Sequence, residues 1–323
     1  MLQRLFCLAL LATTLPTAAS ARPGPALTTP IATLQGALHC TGGLAGAERD
    51  PVLLVHGTFA DSEINWSWNY ELALPARGEP TCAVDLPGLS AGDIQISTEY
   101  VVYAIRTMAQ ESGRKVAVIG HSQGGLEARW ALRWWPELRD LVSDVIMLGT
   151  PNHGAAFPDS VCTGPFFCAA SLYQMKSDSA FLAALDALRD TVGVVPFTAI
   201  VTDSDQVFVL PEQGRIDGHR RRVATVLVQD VCPGHVVGHV ELAFDGPTYG
   251  IVIDALDHKG PADPRRVDRG FCQMDAMPGV DRADADARVL AYQTTLAELL
   301  GPDGPTSEGE PPLACYVTHD CPR

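Results

Sequence analysis

At 323 residues, 46% of them hydrophobic, the chain can bury one large core or two small ones, and an α/β domain of this length commonly stays single. Its formal charge is −15, and such a surface repels nucleic acid and anionic membranes, which excludes binders of either. The acidic residues are spread out rather than bunched, a pattern that serves solubility.

The chain opens with Arg4, an apolar run from Leu5 to Leu15 and a small-residue site at Ala19-Ser20-Ala21. Met1–Ala21 therefore reads as a secretory signal peptide, too short for a membrane span. Cys7 leaves with it, and eight cysteines remain. An even number in an exported chain points to four disulfides, the most local pairing being Cys40–Cys82, Cys162–Cys168, Cys232–Cys272 and Cys315–Cys321. No Cys-x-x-Cys pair supports a metal site, and neither metal nor organic cofactor is expected.

Residues 22 to about 36, rich in Pro, Thr and Ala, read as a loose leader. The run Val52-Leu53-Leu54-Val55 predicts a buried strand that ends in His56-Gly57-Thr58, and Cys82–Leu86 predicts a second. Ser97–Ser112 has helical spacing, with Ser97 or Thr98 as its cap. Next comes Val116-Ala117-Val118-Ile119-Gly120-His121-Ser122-Gln123-Gly124-Gly125, an apolar strand breaking into a helical run that Pro136 stops. A serine at the tip of so sharp a turn crowds positions two residues away on either side, where only Gly120 and Gly124 fit.

Val142–Leu148 predicts another strand. Residues 155–190 mix Phe157, Phe166, Phe167, Leu172, Tyr173, Met175 and Phe181 with small residues, and read as a cap or acyl-pocket insertion over the serine; an ordinary helix pair is the plainer reading. Strands follow at Val194–Val201 and Arg222–Gln229, then helices from Tyr249 and over Asp281–Leu300. The order predicts an α/β fold of the α/β-hydrolase type, a mostly parallel sheet with helices on both faces and a small cap. The divisions are a signal at 1–21, a catalytic domain at 22–300 and a stapled tail at 301–323.

Ser122 needs a base, and nine histidines compete. The order serine, acid, histidine, each in a loop after a strand, leaves His219, His235, His239, His258 and His319. His239, at the end of a cysteine-anchored loop, is the choice, with His235 in reserve. Asp203 and Asp205 both follow the strand ending at Val201; the apolar Val207-Phe208 pair favours Asp205 by burying its loop. The backbone N–H of Gln123 and that of Thr58, with its hydroxyl, are expected to face the oxyanion.

Val52–Thr58, Asn65-Trp66, Ser97-Thr98-Glu99-Tyr100, Ser122–Leu126, Ser204-Asp205 and His239 with Tyr249 ten residues on together resemble the secreted α/β-hydrolase lipases of the yeast lipase B group, over about residues 36–275. The resemblance implies Ser122 as nucleophile, Asp205 as acid, His239 as base and Thr58 with Gln123 as oxyanion hole. It also implies the Cys40–Cys82 and Cys232–Cys272 disulfides. The chain departs from the group at His121, where a tryptophan lines the pocket, at His56, where a proline stands, and in the Cys162–Cys168 loop.

The expected protein is thus a secreted serine ester hydrolase, a triacylglycerol lipase working through an acyl-enzyme, extracellular or periplasmic and monomeric. Its partner is a lipid or ester at an oil–water interface, without nucleic acid or membrane span. A polyester or polyhydroxyalkanoate depolymerase and a short-chain esterase share the triad, and a non-catalytic binding protein is the remaining alternative.

Overall fold

A strand turns alternate residues to opposite faces, so a run that is apolar throughout needs cover on both. In the computed structural model, which describes residues 23–163, 168–187, 189–207 and 211–321, this cover is two helical layers. The expected signal at Met1–Ala21, and Phe166, Phe167 and Phe208, lie outside the described residues.

Seven strands form the sheet: β1 Leu38–Thr41, β2 Val52–Val55, β3 Thr81–Val84, β4 Val116–His121, β5 Val142–Leu148, β6 Phe197–Val201 and β7 Val223–Leu227. Their order is β1-β3-β2-β4-β5-β6-β7, parallel throughout except for β1, which runs antiparallel to β3. Leu53, Val55, Val116 and Val118 face one core, shared with α2 (Ile94–Ser112) and α3 (Gly124–Trp134). Val52, Leu54, Ala117 and Ile119 face the other, shared with α7 (Gly246–Asp257). Each fully buried aliphatic side chain there contributes roughly 1.5–3 kcal/mol.

Between β5 and β6 the described residues form three short helices, α4 (Ala156–Val161), α5 (Ala170–Gln174) and α6 (Ala180–Asp186). The last long helix, α8 (Arg282–Leu299), gives Ala285 and Val289 to one core and packs Leu296 and Leu299 against the other. It therefore crosses above the carboxyl ends of the strands.

Three expectations need correction. Residues 23–36 are not loose: Glu137 accepts the Gly24 N–H, the Trp135 indole donates to the Pro25 carbonyl, and the buried Glu99 carboxylate accepts the N–H groups of Thr28 and Thr29. The segment then forms α1 (Ile31–Gly36) and leads into β1. Helix α2 starts three residues before Ser97, capped by Asp93, whose carboxylate accepts the Gln95 N–H. Ser97 and Thr98 instead donate back to carbonyls four residues earlier, as hydroxyls inside helices do. Strand β6 begins at Phe197, three residues later than its apolar run, because Pro196 has no N–H for the ladder.

The sulfurs of Cys40 and Cys82, Cys162 and Cys168, Cys232 and Cys272, and Cys315 and Cys321 stand at bonding distance. The tail beyond Gly301 is docked as well as stapled. Glu310 accepts the N–H groups of Ala180 and Phe181 at the start of α6, and the Tyr316 hydroxyl accepts from the Trp130 indole at 2.9 Å.

Candidate active site

Strand β4 ends at His121, and the next residue, Ser122, has φ +53°. A non-glycine residue in that region costs about 1–3 kcal/mol, tolerated where the surroundings over-determine it. They do so here. A Cβ at Gly124 would sit 2.3 Å from the Val55 carbonyl oxygen, and one at Gly120 would sit 2.5 Å from the Gly125 nitrogen. Two bare backbones thus let the turn close, and α3 starts immediately beyond it.

The turn lifts the Ser122 hydroxyl toward the loop after β7, where His239 Nε2 lies 2.9 Å from Ser122 Oγ. His239 Nδ1 is 2.9 Å from Asp205 Oδ2, and Asp205 Oδ1 accepts the Val207 N–H at 2.8 Å. The three side chains expected from chain order thus meet at the carboxyl ends of β4, β6 and β7. Asp203 points elsewhere: it is exposed and accepts the Ser204 hydroxyl at 2.8 Å. The reserve His235 is four residues from His239 in a His-x-x-x-His spacing, yet the two diverge. His235 pairs with Asp245, the cap of α7.

Three more side chains hold these loops; the parts played by Gln206 and Asn65 had no signal in the sequence strong enough to find them. Gln206 Oε1 accepts the His239 N–H at 2.9 Å and holds the loop of the base to that of the acid. His121, wholly buried, donates through Nε2 to the His239 carbonyl at 3.0 Å and faces Asn65 Oδ1 at 3.1 Å through Nδ1. Burial, then the neighbouring His239, lowers its pKa to about 3, so it stays a neutral spacer rather than a rival base. The Asn65 oxygen also accepts the Gly57 N–H at 3.1 Å, which fixes the loop before Thr58.

On that loop the Thr58 hydroxyl donates to Gln123 Oε1 at 2.6 Å, and the Thr58 carbonyl accepts the Tyr292 hydroxyl of α8 at 2.8 Å. His56 is a strut: its Nδ1 donates to the Gly57 carbonyl at 2.9 Å and its Nε2 accepts the Leu86 N–H at 2.9 Å.

Ser122 opens into a cavity of about 360 Å³ walled by Phe157, Leu172, Met175 and Leu296 among others. Phe59, Phe157, Leu172 and Leu300 also border a second space of about 690 Å³ that reaches the tail at Pro305. Ala155, Phe157, Pro158, Leu172 and Met175 therefore supply pocket wall. Phe181 on α6 instead stacks on Trp130 at 4.3 Å and belongs to the core.

His153, Asp186 and Asp190 bring possible metal-ligating atoms within 4.8 Å of one another. Both imidazole nitrogens already lie 3.2 Å from a carboxylate, and Arg129 takes Asp186 at 2.6 Å, so the group reads as an ion-pair knot.

A parallel sheet whose strand ends assemble a serine, a histidine and a carboxylate around a strained turn defines a class of protein, the α/β hydrolases. Residues 52–286 match the model of the alpha/beta hydrolase family, and the chain belongs to that family. It is similar to lipase B of Pseudozyma antarctica, 27% identical over 302 residues, 91% of this chain and 86% of that one. A triacylglycerol lipase of Pseudomonas fragi is 32% identical over 143 residues, 42% of this chain and 48% of that one. The crystal structure of Aspergillus fumigatus lipase B aligns with a TM-score of 0.84 at 28% identity, covering 92% of this chain and 74% of that one.

Proposed function

We propose that the protein is a secreted serine ester hydrolase, a lipase that cleaves acylglycerols through an acyl-enzyme. The observation that carries this reading is the 2.9 Å contact between Ser122 Oγ and His239 Nε2 at the mouth of an apolar cavity. Ser122 attacks the ester carbonyl while His239 accepts its proton; the developing oxyanion faces the N–H groups of Thr58 and Gln123. His239 then gives the proton to the leaving alcohol, with Asp205 holding the ring's tautomer and stabilising its charge. Water, activated by the same base, releases the acid.

A preference for long acyl chains is supported by the continuation of the cavity past Leu172 and Leu300, and by the names of the relatives, lipase B and triacylglycerol lipase. Export is supported by the pattern of Met1–Ala21 and by four cysteine pairs at bonding distance. In this proposal residues 22–300 are the catalytic domain and 301–323 its tail. Among the described residues no helix is long and apolar enough to cross a membrane, and the acylglycerol is expected to meet the monomer at an oil–water interface.

Hydrolysis of p-nitrophenyl esters from two to sixteen carbons, beside emulsified triolein, tests the reading. Activity on long chains and triolein that disappears in Ser122→Ala supports it. Activity confined to short chains makes the protein an esterase or polyesterase, and activity that survives in Ser122→Ala removes the nucleophile from the account.

A further inference from the structure

Glu127 stands on the first turn of α3, five residues beyond Ser122, and is wholly buried. Its Oε1 accepts from Gln123 Nε2 at 2.7 Å, while Oε2 is buried with no hydrogen-bond partner among the described residues. The other end of the Gln123 amide accepts the Thr58 hydroxyl. A chain of three side chains therefore runs from a buried carboxyl to a residue assigned above to the oxyanion hole.

An amide has a donor end and an acceptor end, and a half-turn exchanges them. An ionised Glu127 only accepts, so it draws the NH₂ of Gln123 and leaves Oε1 facing Thr58. The single hydroxyl proton of Thr58 is then committed to Gln123. A protonated Glu127 can donate to Oε1 of the turned amide, whose NH₂ then donates to the Thr58 oxygen. The Thr58 hydroxyl proton is released to face the reacting oxygen.

We propose that Glu127 is a positioning residue of the oxyanion hole: acting through the Gln123 amide, its proton decides whether the Thr58 hydroxyl is a third donor to the oxyanion. The idea rests on the ester-hydrolase reading above. The carboxyl is suited to the role, because burial raises its pKa to about 8 and the Gln123 amide and its own backbone N–H only partly oppose this. The charged groups on the elements packed against α3 are engaged elsewhere. On α2, Glu99 holds Thr28 and Thr29, Arg106 pairs with Glu137, and Glu111 is exposed. Asp186 of α6 is held by Arg129, His121 of β4 is neutral, and Asp144 of β5 lies at the far end of the sheet. On the short helix Leu138–Leu141, Arg139 donates to the carbonyls of Leu132 and Arg133, and Asp140 is exposed.

The test is the pH profile of kcat on p-nitrophenyl butyrate for wild type, Glu127→Gln, Thr58→Ser and Thr58→Val, with the Gln123 side-chain amide resonance followed by ¹⁵N NMR. Wild type and Thr58→Ser are expected to lose about 10²-fold in kcat as pH rises through about 8, the size of one lost donor. The carboxamide of Glu127→Gln does not titrate, so this fall is absent. Thr58→Val starts about 10²-fold lower and shows no fall. The Gln123 resonance is expected to move through the same pH in wild type and to stay still in Glu127→Gln. A fall that persists in Glu127→Gln or Thr58→Val, or a Gln123 resonance that does not move, overturns the proposal. A wild type inert on every ester refutes the hydrolase reading instead, and the resonance then decides the relay by itself.

Discussion

Each end of the sheet carries a cavity: about 360 Å³ around Ser122 at the carboxyl end, and about 450 Å³ at the amino end, bordered by Asp50, Glu79, Arg114 and Asp144. At the amino end the charges answer one another. Arg49 meets Glu79 at 2.7 Å, Arg77 meets Asp257 at 2.9 Å and Arg114 meets Asp50 at 2.9 Å. At the carboxyl end a hydroxyl, an imidazole and a carboxylate are aligned in series, with apolar walls beside the hydroxyl. Most of the charges around the amino-end hollow are thus spent on one another. Chemistry is poised where polar groups converge on a space they leave open.

The comparison breaks most sharply with one substitution at each end. Ser122→Ala is expected to lower kcat about 10⁶-fold, equivalent to about 8 kcal/mol of barrier. Arg77→Ala, which removes a partly exposed pair with Asp257 and one of two arginines on the buried Glu79 while Arg49 stays, is expected to leave kcat within about twofold and to cost about 1 kcal/mol of stability. Active-site-titrated kinetics and urea unfolding read the two; a comparable loss of kcat in Arg77→Ala would erase the distinction.

The next effect concerns the walls. Leu172 borders both the Ser122 cavity and the space beyond it, so Leu172→Trp is expected to block the passage. Excluding four methylenes forfeits about 3 kcal/mol at about 0.8 kcal/mol each, so kcat/KM on a sixteen-carbon ester should fall about 10²-fold relative to a four-carbon one. An unchanged ratio would place the acyl chain elsewhere.

How much of this was legible before folding depends on distance along the chain. The elbow was, because Gly120, Ser122 and Gly124 constrain one another within five residues. The serine–acid–histidine order was, because each strand end in a parallel sheet delivers a loop to the same edge. The choice of Asp205 over Asp203 rested partly on Phe208, which is outside the described residues; the carboxylate that meets the imidazole is nevertheless that of Asp205. Asn65, Gln206 and Glu127 were missed because polar residues reveal such roles only through their partners. Asn65 meets His121 across 56 residues and Gln206 meets His239 across 33. Glu127 lies near Gln123 in the chain, but its burial depends on everything packed around α3. The leader was misread for a similar reason: Pro, Thr and Ala look loose until Glu99, 71 residues from Thr28, supplies an acceptor.

A smaller effect returns to the amino end. Asp144 is buried, Oδ1 has no partner among the described residues, and burial holds its pKa well above the usual carboxylate value. An acid whose folded pKa is raised gives up stability as pH climbs from its unfolded value of about 4 through the folded one. At neutral pH the buried carboxyl is therefore a cost. Asp144→Asn, which cannot ionise, is expected to gain about 1–3 kcal/mol at pH 7 and to flatten that slope, without change in kcat. Urea unfolding at pH 4 and 7 checks this, and equal stability of the two proteins at pH 7 would count against it.

The smallest effect lies behind α6, where His153 sits between Asp186 and Asp190. Their hydrogen bonds raise its pKa to about 9 against desolvation. The folded state therefore binds the imidazole proton more tightly than the unfolded state, whose value is about 6.5. The contribution is complete below about pH 6.5 and is lost as pH rises through about 9, the opposite of a salt-bridged carboxylate. The ring is partly exposed, so solvent screens it. Arg129, almost wholly buried, keeps its own bonds to Asp186 and to the Asn152 carbonyl at every relevant pH. Losing the imidazolium should loosen α6 without releasing it. Between pH 6 and 10 the wild type is expected to lose about 2 °C more in Tm than His153→Gln. The difference between the two proteins cancels the tyrosines and lysines that also titrate in that range. A larger separation would mean that the ion pair rather than Arg129 holds α6 in place.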